Sequence, residues 1–114
     1  MSEEKETLPN WKISTTHPEL AAKIKNALRQ VRDPEIGSDV VQLGLIREIE
    51  ASDTNVTITM ILTTPYCPYG PALMESTRRI VEKETGRSTT VIYGSEAWDQ
   101  SMMEDPSAFG WGLF

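Results

Sequence analysis

The sequence predicts a small α+β domain of order αββαβ, a two-layer sandwich with helices on one face of a mixed three-stranded sheet. Three observations predict it. Leu20, Ile24, Ala27, Leu28 and Val31 recur at the spacing of one helical face. Val56, Ile58, Met60 and Leu62 alternate with Thr57 and Thr59, as in a half-buried strand. A second helical stripe, Leu73, Thr77, Ile80 and Val81, lies between that strand and another strand-like run, which is the order of a parallel crossover.

Each element has its own start and stop. Residues 1–14 form a polar tail, expected to be mostly disordered, with Trp11 and Ile13 able to dock. The domain proper spans 15–94. Thr16-His17-Pro18-Glu19 reads as a capping box with proline in the first turn, and Pro34 ends that helix. His17 reads as an exposed residue there, with no nearby partner to make it a metal ligand. Leu45 to Glu50 and Val56 to Leu62 form an antiparallel hairpin across Ser52-Asp53-Thr54-Asn55. The second helix runs from about Pro71 to Thr85, with Gly86 as its stop, and Ser88 to Tyr93 is the third strand. Residues 95–114 form an aromatic tail, carrying Trp98, Phe109, Trp111 and Phe114. Such a segment is expected to pack on the domain or on a partner.

Composition excludes several classes. The 114 residues allow one modest core, and 39% hydrophobic with 25% charged residues is ordinary for a folded domain. A formal net charge of −6, with basic residues scattered among acids, argues against nucleic-acid and anionic-membrane partners. No apolar run is long enough to span a bilayer, and the acidic start is unlike a signal peptide. The expected location is cytoplasmic. A single cysteine permits no internal disulfide, and one Cys with one His cannot build a structural zinc site.

That cysteine is the most telling residue. Thr63-Thr64-Pro65-Tyr66-Cys67-Pro68-Tyr69-Gly70-Pro71 joins the second strand to the second helix, so Cys67 sits near a helix N-terminus. Unpaired N–H groups and the helix dipole favour a thiolate there, and the prolines stiffen the loop that presents it. The plainer reading is a buried structural thiol. A second cluster, Asp33-Pro34-Glu35-Ile36-Gly37-Ser38-Asp39, places three carboxylates in seven residues, which suits a cation or iron site or simply a solvated loop. No Ser–His–Asp or Cys–His–Asn set can be assembled, and no phosphate-binding glycine loop is present.

Asp33-Pro34-Glu35-Ile36-Gly37, Val40-Val41 and Leu43-Gly44-Leu45-Ile46, together with Thr63-Thr64-Pro65, Cys67-Pro68 and Gly70-Pro71, resemble the small iron–sulfur (metal–sulfur) cluster assembly domains of the SufT and PaaD-like type. The resemblance covers about residues 16–94 and rests on two separate motifs in the same order and spacing. It implies the αββαβ fold and a non-catalytic role in maturing iron–sulfur proteins. It also implies that Cys67 is the motif cysteine, with Asp33, Glu35 and Thr64 at the other polar motif positions. PaaD-type members continue into a cysteine-bearing tail, which this chain lacks, so their oxygenase role is not carried over.

Chemistry limits what Cys67 can do. A cluster takes about four protein ligands, mostly thiolates, and one cysteine cannot enclose it. Either two chains share a cluster as a homodimer, or small thiols or a client supply the remaining ligands, or the protein is an adaptor. The expectation is therefore no stably bound cofactor, with at most a transient iron–sulfur cluster at Cys67. The expected partners are the assembly machinery and client apoproteins. The rival reading is a thiol-dependent redox enzyme with Cys67 as nucleophile, which lacks a basic residue in Tyr66-Cys67-Pro68-Tyr69 to assist it.

Overall fold

The computed structural model describes residues 11–34, 36–64 and 68–104. The expected disordered stretch over residues 1–10, the motif residues Glu35 and Cys67, and the tail from 105 onward lie outside the described residues. In chain order the elements are α1 (Lys12–Thr16), α2 (Pro18–Leu28), β1 (Ile46–Ala51), β2 (Asn55–Met60), α3 (Gly70–Thr85) and β3 (Ser88–Tyr93), with a 3-10 turn at Gln100–Met102. The strands form one sheet in the order β1-β2-β3, antiparallel between β1 and β2 and parallel between β2 and β3. The α+β architecture is the expected one.

The sheet follows its periodicity. Val56, Ile58 and Met60 of β2 are buried, while Thr57 and Thr59 are half-buried. In β1 the register shifts between Ile46 and Glu48. That bulge lets Ile46 and Ile49, three positions apart, both reach the core. Both hairpin strands were expected to reach one or two residues further at the open end. They stop as strands at Ile46 and Met60, yet the Ile61 amide still donates to the Leu45 carbonyl at 2.8 Å.

The helices need three corrections. Thr16 does not cap α2. It ends α1, and His17 is the N-cap residue, making no side-chain cap bond. Residues Lys12–Thr16 form a helix that was not expected, while Trp11 and Ile13 dock as they were able to, buried against β1 with the Trp11 indole N–H donating to the Ile46 carbonyl at 3.0 Å. Finally, α2 ends at Leu28, well before Pro34. The following amides turn to shorter-range acceptors, Gln30 to Ala27 at 3.1 Å and Val31 to Leu28 at 3.0 Å. A bridge between Arg32 and Asp39 then takes the chain out of the helix.

In α3, Leu73, Thr77 and Val81 are buried one turn apart, and the Thr77 hydroxyl donates to the Leu73 carbonyl at 3.0 Å. Gly86 ends the helix at φ 69°, where its amide takes the Glu82 carbonyl. Helices α2 and α3 pack on each other, α3 also on β3, and α1 on α2 and β1.

Candidate functional site

The acidic motif is a closed turn. The Asp33 amide donates to the Ser38 carbonyl at 3.0 Å, and the Gly37 amide returns to the Asp33 carbonyl at 2.7 Å. Gly37 adopts φ 87°, a conformation that side chains disfavour. The Asp33 carboxylate points inward and is 1% exposed. It accepts the Ile36 amide at 3.2 Å and the Tyr69 hydroxyl at 3.1 Å. Burying a carboxylate without such donors would be costly.

Asp39 is also buried, and it caps the next turn. Its Oδ1 accepts the amides of Val41 (2.9 Å) and Gln42 (2.8 Å), while the Gln42 side chain accepts the Asp39 amide at 3.1 Å. This is the reciprocal pattern of a capping box. Two of the three carboxylates that could have lined a cation site therefore serve as acceptors for the chain's own N–H groups. Among the described residues, no group of three or more His, Cys, Asp or Glu is arranged to hold a metal ion.

The Tyr69 bond matters most, because it joins the acidic loop to the segment that carries the cysteine. Tyr69 is the N-cap residue of α3, and its carbonyl accepts the Leu73 amide at 2.9 Å. Thr64 is exposed at the bend that follows β2. The hairpin explains the meeting: the Ile61–Leu45 bond sets the exit of β2 beside the entry of β1, and the acidic loop leads into β1. Of the expected site residues, Asp33 joins this junction and Thr64 lies at its edge. Nothing in the sequence assigns Tyr69 a role of its own, since nothing local pairs it with a residue 36 positions away.

A strap closes the other side. Residues 94–104 cross the turn at 39–47, and the Trp98 indole N–H donates to the Leu43 carbonyl at 2.6 Å. The Glu104 amide takes the Gln42 carbonyl at 3.0 Å. Arg29 grips the Glu104 carboxylate with two bonds, at 2.6 and 3.0 Å, and also reaches Asp39 at 3.4 Å. The first part of the aromatic tail thus packs on its own domain. The Arg29 hydrogen bonds hold the Glu104 carboxyl below its ordinary value of 4.5, with nearby Arg29 and Lys25 charge adding to the effect. A folded value below the unfolded one means this contribution is complete above about 4.5 and is lost as pH falls through the lower folded value. The Glu104 side chain is 38% exposed, so the gain is modest and screened by salt. Wild type is expected to melt slightly above Glu104→Gln near neutral pH, with the difference fading as pH falls below 4.5. Melting curves of the two proteins across pH check this.

Comparison with known proteins bears on the family and the fold. A family model described as iron–sulfur cluster assembly protein matches residues 21–91. The chain is 36% identical over 93 residues to an Fe-S protein maturation auxiliary factor of Porphyromonas gingivalis, a match covering 79% of this chain and 89% of that protein. It is 34% identical over 76 residues to the Fe-S protein maturation auxiliary factor SufT of Staphylococcus aureus, covering 64% and 86%. Against the similarly named factor YitW of Bacillus subtilis it is 39% identical over 61 residues, which is 53% of this chain and 60% of that protein. Among solved structures, a conserved hypothetical protein of Thermotoga maritima matches with TM-score 0.68 and 31% identity over 80% of this chain and 92% of that one. A domain of unknown function from Bacillus anthracis matches with TM-score 0.76 over 89% and 99%; at 23% identity it shows the fold alone.

Proposed function

The chain belongs to the iron–sulfur cluster assembly protein family, and from that premise we propose that it is a non-catalytic assembly factor, a transient carrier or adaptor for client apoproteins acting through Cys67. The observation that carries this reading is the Tyr69–Asp33 hydrogen bond, which ties the acidic turn to the start of α3, two residues after Cys67 in the sequence. The maturation-factor names of its relatives support the same role.

Chemistry shapes the mechanism. The cluster is cargo, and one thiolate per chain holds it only partially. The remaining ligands come from a second copy, from small thiols or from the client, which makes release easy. Asp33 and Thr64 support the loops around the thiol, and Glu35 completes the acidic motif. The setting is the cytoplasm, where a lone thiol stays reduced. No helix among the described residues is long and apolar enough to cross a membrane. The rival redox enzyme needs a cation beside the thiol, and Tyr66-Cys67-Pro68-Tyr69 supplies no basic residue.

Affinity capture with wild type is expected to retain iron–sulfur apoproteins or assembly components that Cys67→Ala loses. Anaerobic reconstitution with iron and sulfide, followed by metal analysis and solution mass, should give no cluster or a labile one shared between two chains. A stable four-iron cluster on a monomer, ligated wholly by this chain, would overturn the carrier reading. Turnover of a peroxide or disulfide by wild type but not by the variant would favour the enzyme.

A further inference from the structure

We infer that the outer edge of β3 is a strand-addition site for an extended, uncharged segment of a client apoprotein; the identity of that partner rests on the assembly-factor reading. The sheet order leaves β3 at one edge. The Ser88 amide donates to the Thr54 carbonyl at 3.0 Å, and the Gly94 amide to the Met60 carbonyl at 2.8 Å. In a parallel ladder alternate residues face the neighbouring strand, so Ser88, Thr90, Ile92 and Gly94 bond to β2. Thr89, Val91 and Tyr93 therefore turn their N–H and C=O groups outward, and no strand among the described residues meets them.

The two edges of the sheet are built differently. At β1 the register shifts between Ile46 and Glu48, the Trp11 indole takes the Ile46 carbonyl, and Lys12 pairs with Glu50 at 3.3 Å. Bulges, cover and charge of this kind keep an edge from pairing. The β3 edge has none of them. Its six residues pair with β2 in unbroken register, and Ser88-Thr89-Thr90-Val91-Ile92-Tyr93 holds no charge and no proline. Ile92 and Tyr93 are 48% and 49% exposed, so apolar surface flanks the open ladder. At the end of the strand a groove of about 360 Å³, lined by Leu62, Tyr93, Ala97 and Trp98, has room for an apolar side chain. A second copy suits this edge poorly, because α3 packs on β3. Antiparallel addition about a two-fold axis would set two α3 helices over strands only about 4.8 Å apart. Packed helices need axes about 8–10 Å apart. A bare segment brings no helix. It would also run to the functional end of the sheet, since Tyr93 pairs with Met60, where β2 leaves toward the junction of Tyr69 with Asp33.

Amide hydrogen exchange in the full chain, read residue by residue by NMR, tests the edge. In the dilute free protein, Thr89, Val91 and Tyr93 are expected to exchange about 100-fold faster than Thr90 and Ile92. The probe is a synthetic peptide of residues 87–95, which carries β3 without its helix. Paired antiparallel with Val91 opposite Val91, it sets Thr89 against Tyr93 and Thr90 against Ile92, all β-branched or aromatic partners. Millimolar peptide should slow the outward amides roughly tenfold. The same peptide N-methylated at its own Thr89, Val91 and Tyr93, the positions that face the edge, should leave them unchanged. Ile92→Lys adds a guarding charge at an exposed position; it should keep the wild-type melting temperature and lose both peptide binding and, severalfold, client maturation. Protection already present in the dilute monomer would assign the edge to the chain's own tail, and protection that comes with doubled solution mass would assign it to a second copy. Either overturns the inference, as do equal slowing by both peptides, slowing by neither, or full client maturation by a variant that no longer takes the peptide. The functional reading fails separately: full client maturation by Cys67→Ala would remove the role of the thiol while leaving the peptide's effect on exchange intact.

Discussion

Cys67→Ser is expected to abolish maturation of iron–sulfur clients while leaving the domain folded. The described core is built from other residues. Ile24 and Leu28 of α2, Ile49 of β1, Ile58 and Met60 of β2 and Val81 of α3 are all fully buried and belong to one cluster. On the carrier reading the thiol is a ligand and not a core filler, so exchanging it for a hydroxyl should cost less than about 1 kcal/mol. The functional loss has a chemical cause: serine stays protonated at neutral pH and is a poor ligand for iron compared with a thiolate. A core-filling cysteine would behave oppositely, because a hydroxyl buried without a partner costs about 1–3 kcal/mol. Thermal denaturation, with client activity measured in a host that depends on this protein, separates the two. A large stability loss with activity retained per folded molecule would show that the residue is structural.

Elements with a strong period were legible in the sequence. The alternation at Val56, Ile58 and Met60 and the Gly86 stop located β2 and α3 closely, since each feature answers to its own backbone geometry. Helix α1 was missed because its five residues include Ser14, Thr15 and Thr16, which are weak helix formers, and it is too short to show a period. The end of α2 was misjudged for the opposite reason. Val31 continues the apolar period and is buried, but it is buried from a turn, and the Arg32–Asp39 bridge overrides the helical signal. The approach of the acidic turn to the start of α3 follows from the hairpin, since antiparallel pairing sets the exit of β2 beside the entry of β1. What spacing could not reveal was the atom that joins them, because a tyrosine hydroxyl and a carboxylate 36 residues apart leave no local trace. The inward turn of Asp33 and Asp39 was hidden likewise: an acidic loop reads as solvated until its N–H donors are placed.

Gly44→Ala is expected to loosen the strap and lower stability more than any other glycine-to-alanine change at a positive φ. Gly44 sits at φ 76°, and a Cβ there would run into the carbonyl of Met102. That obstacle is backbone, so no side-chain rotation relieves it, and the 3-10 turn at Gln100–Met102 has to move. Met103, 8% exposed in the core, follows that turn directly. Gly86 provides the control. It also has positive φ, at 69°, but a Cβ there meets nothing within 4 Å, so Gly86→Ala bears only the conformational cost of about 1–2 kcal/mol. Gly44→Ala should bear that cost and lose the burial of Met103 as well, worth a further 1.5–3 kcal/mol or so. For a domain of this size each kcal/mol lowers the melting temperature by roughly 4–8 °C, so the two variants should differ by about 10 °C. Strap release should also expose Trp98, whose indole bond to Leu43 depends on the same crossing, so chymotrypsin should cleave there faster in Gly44→Ala than in Gly86→Ala. Equal stability losses with equal cleavage rates would mean that the strap shifts without leaving the turn, and that the close approach at Gly44 does not hold it in place.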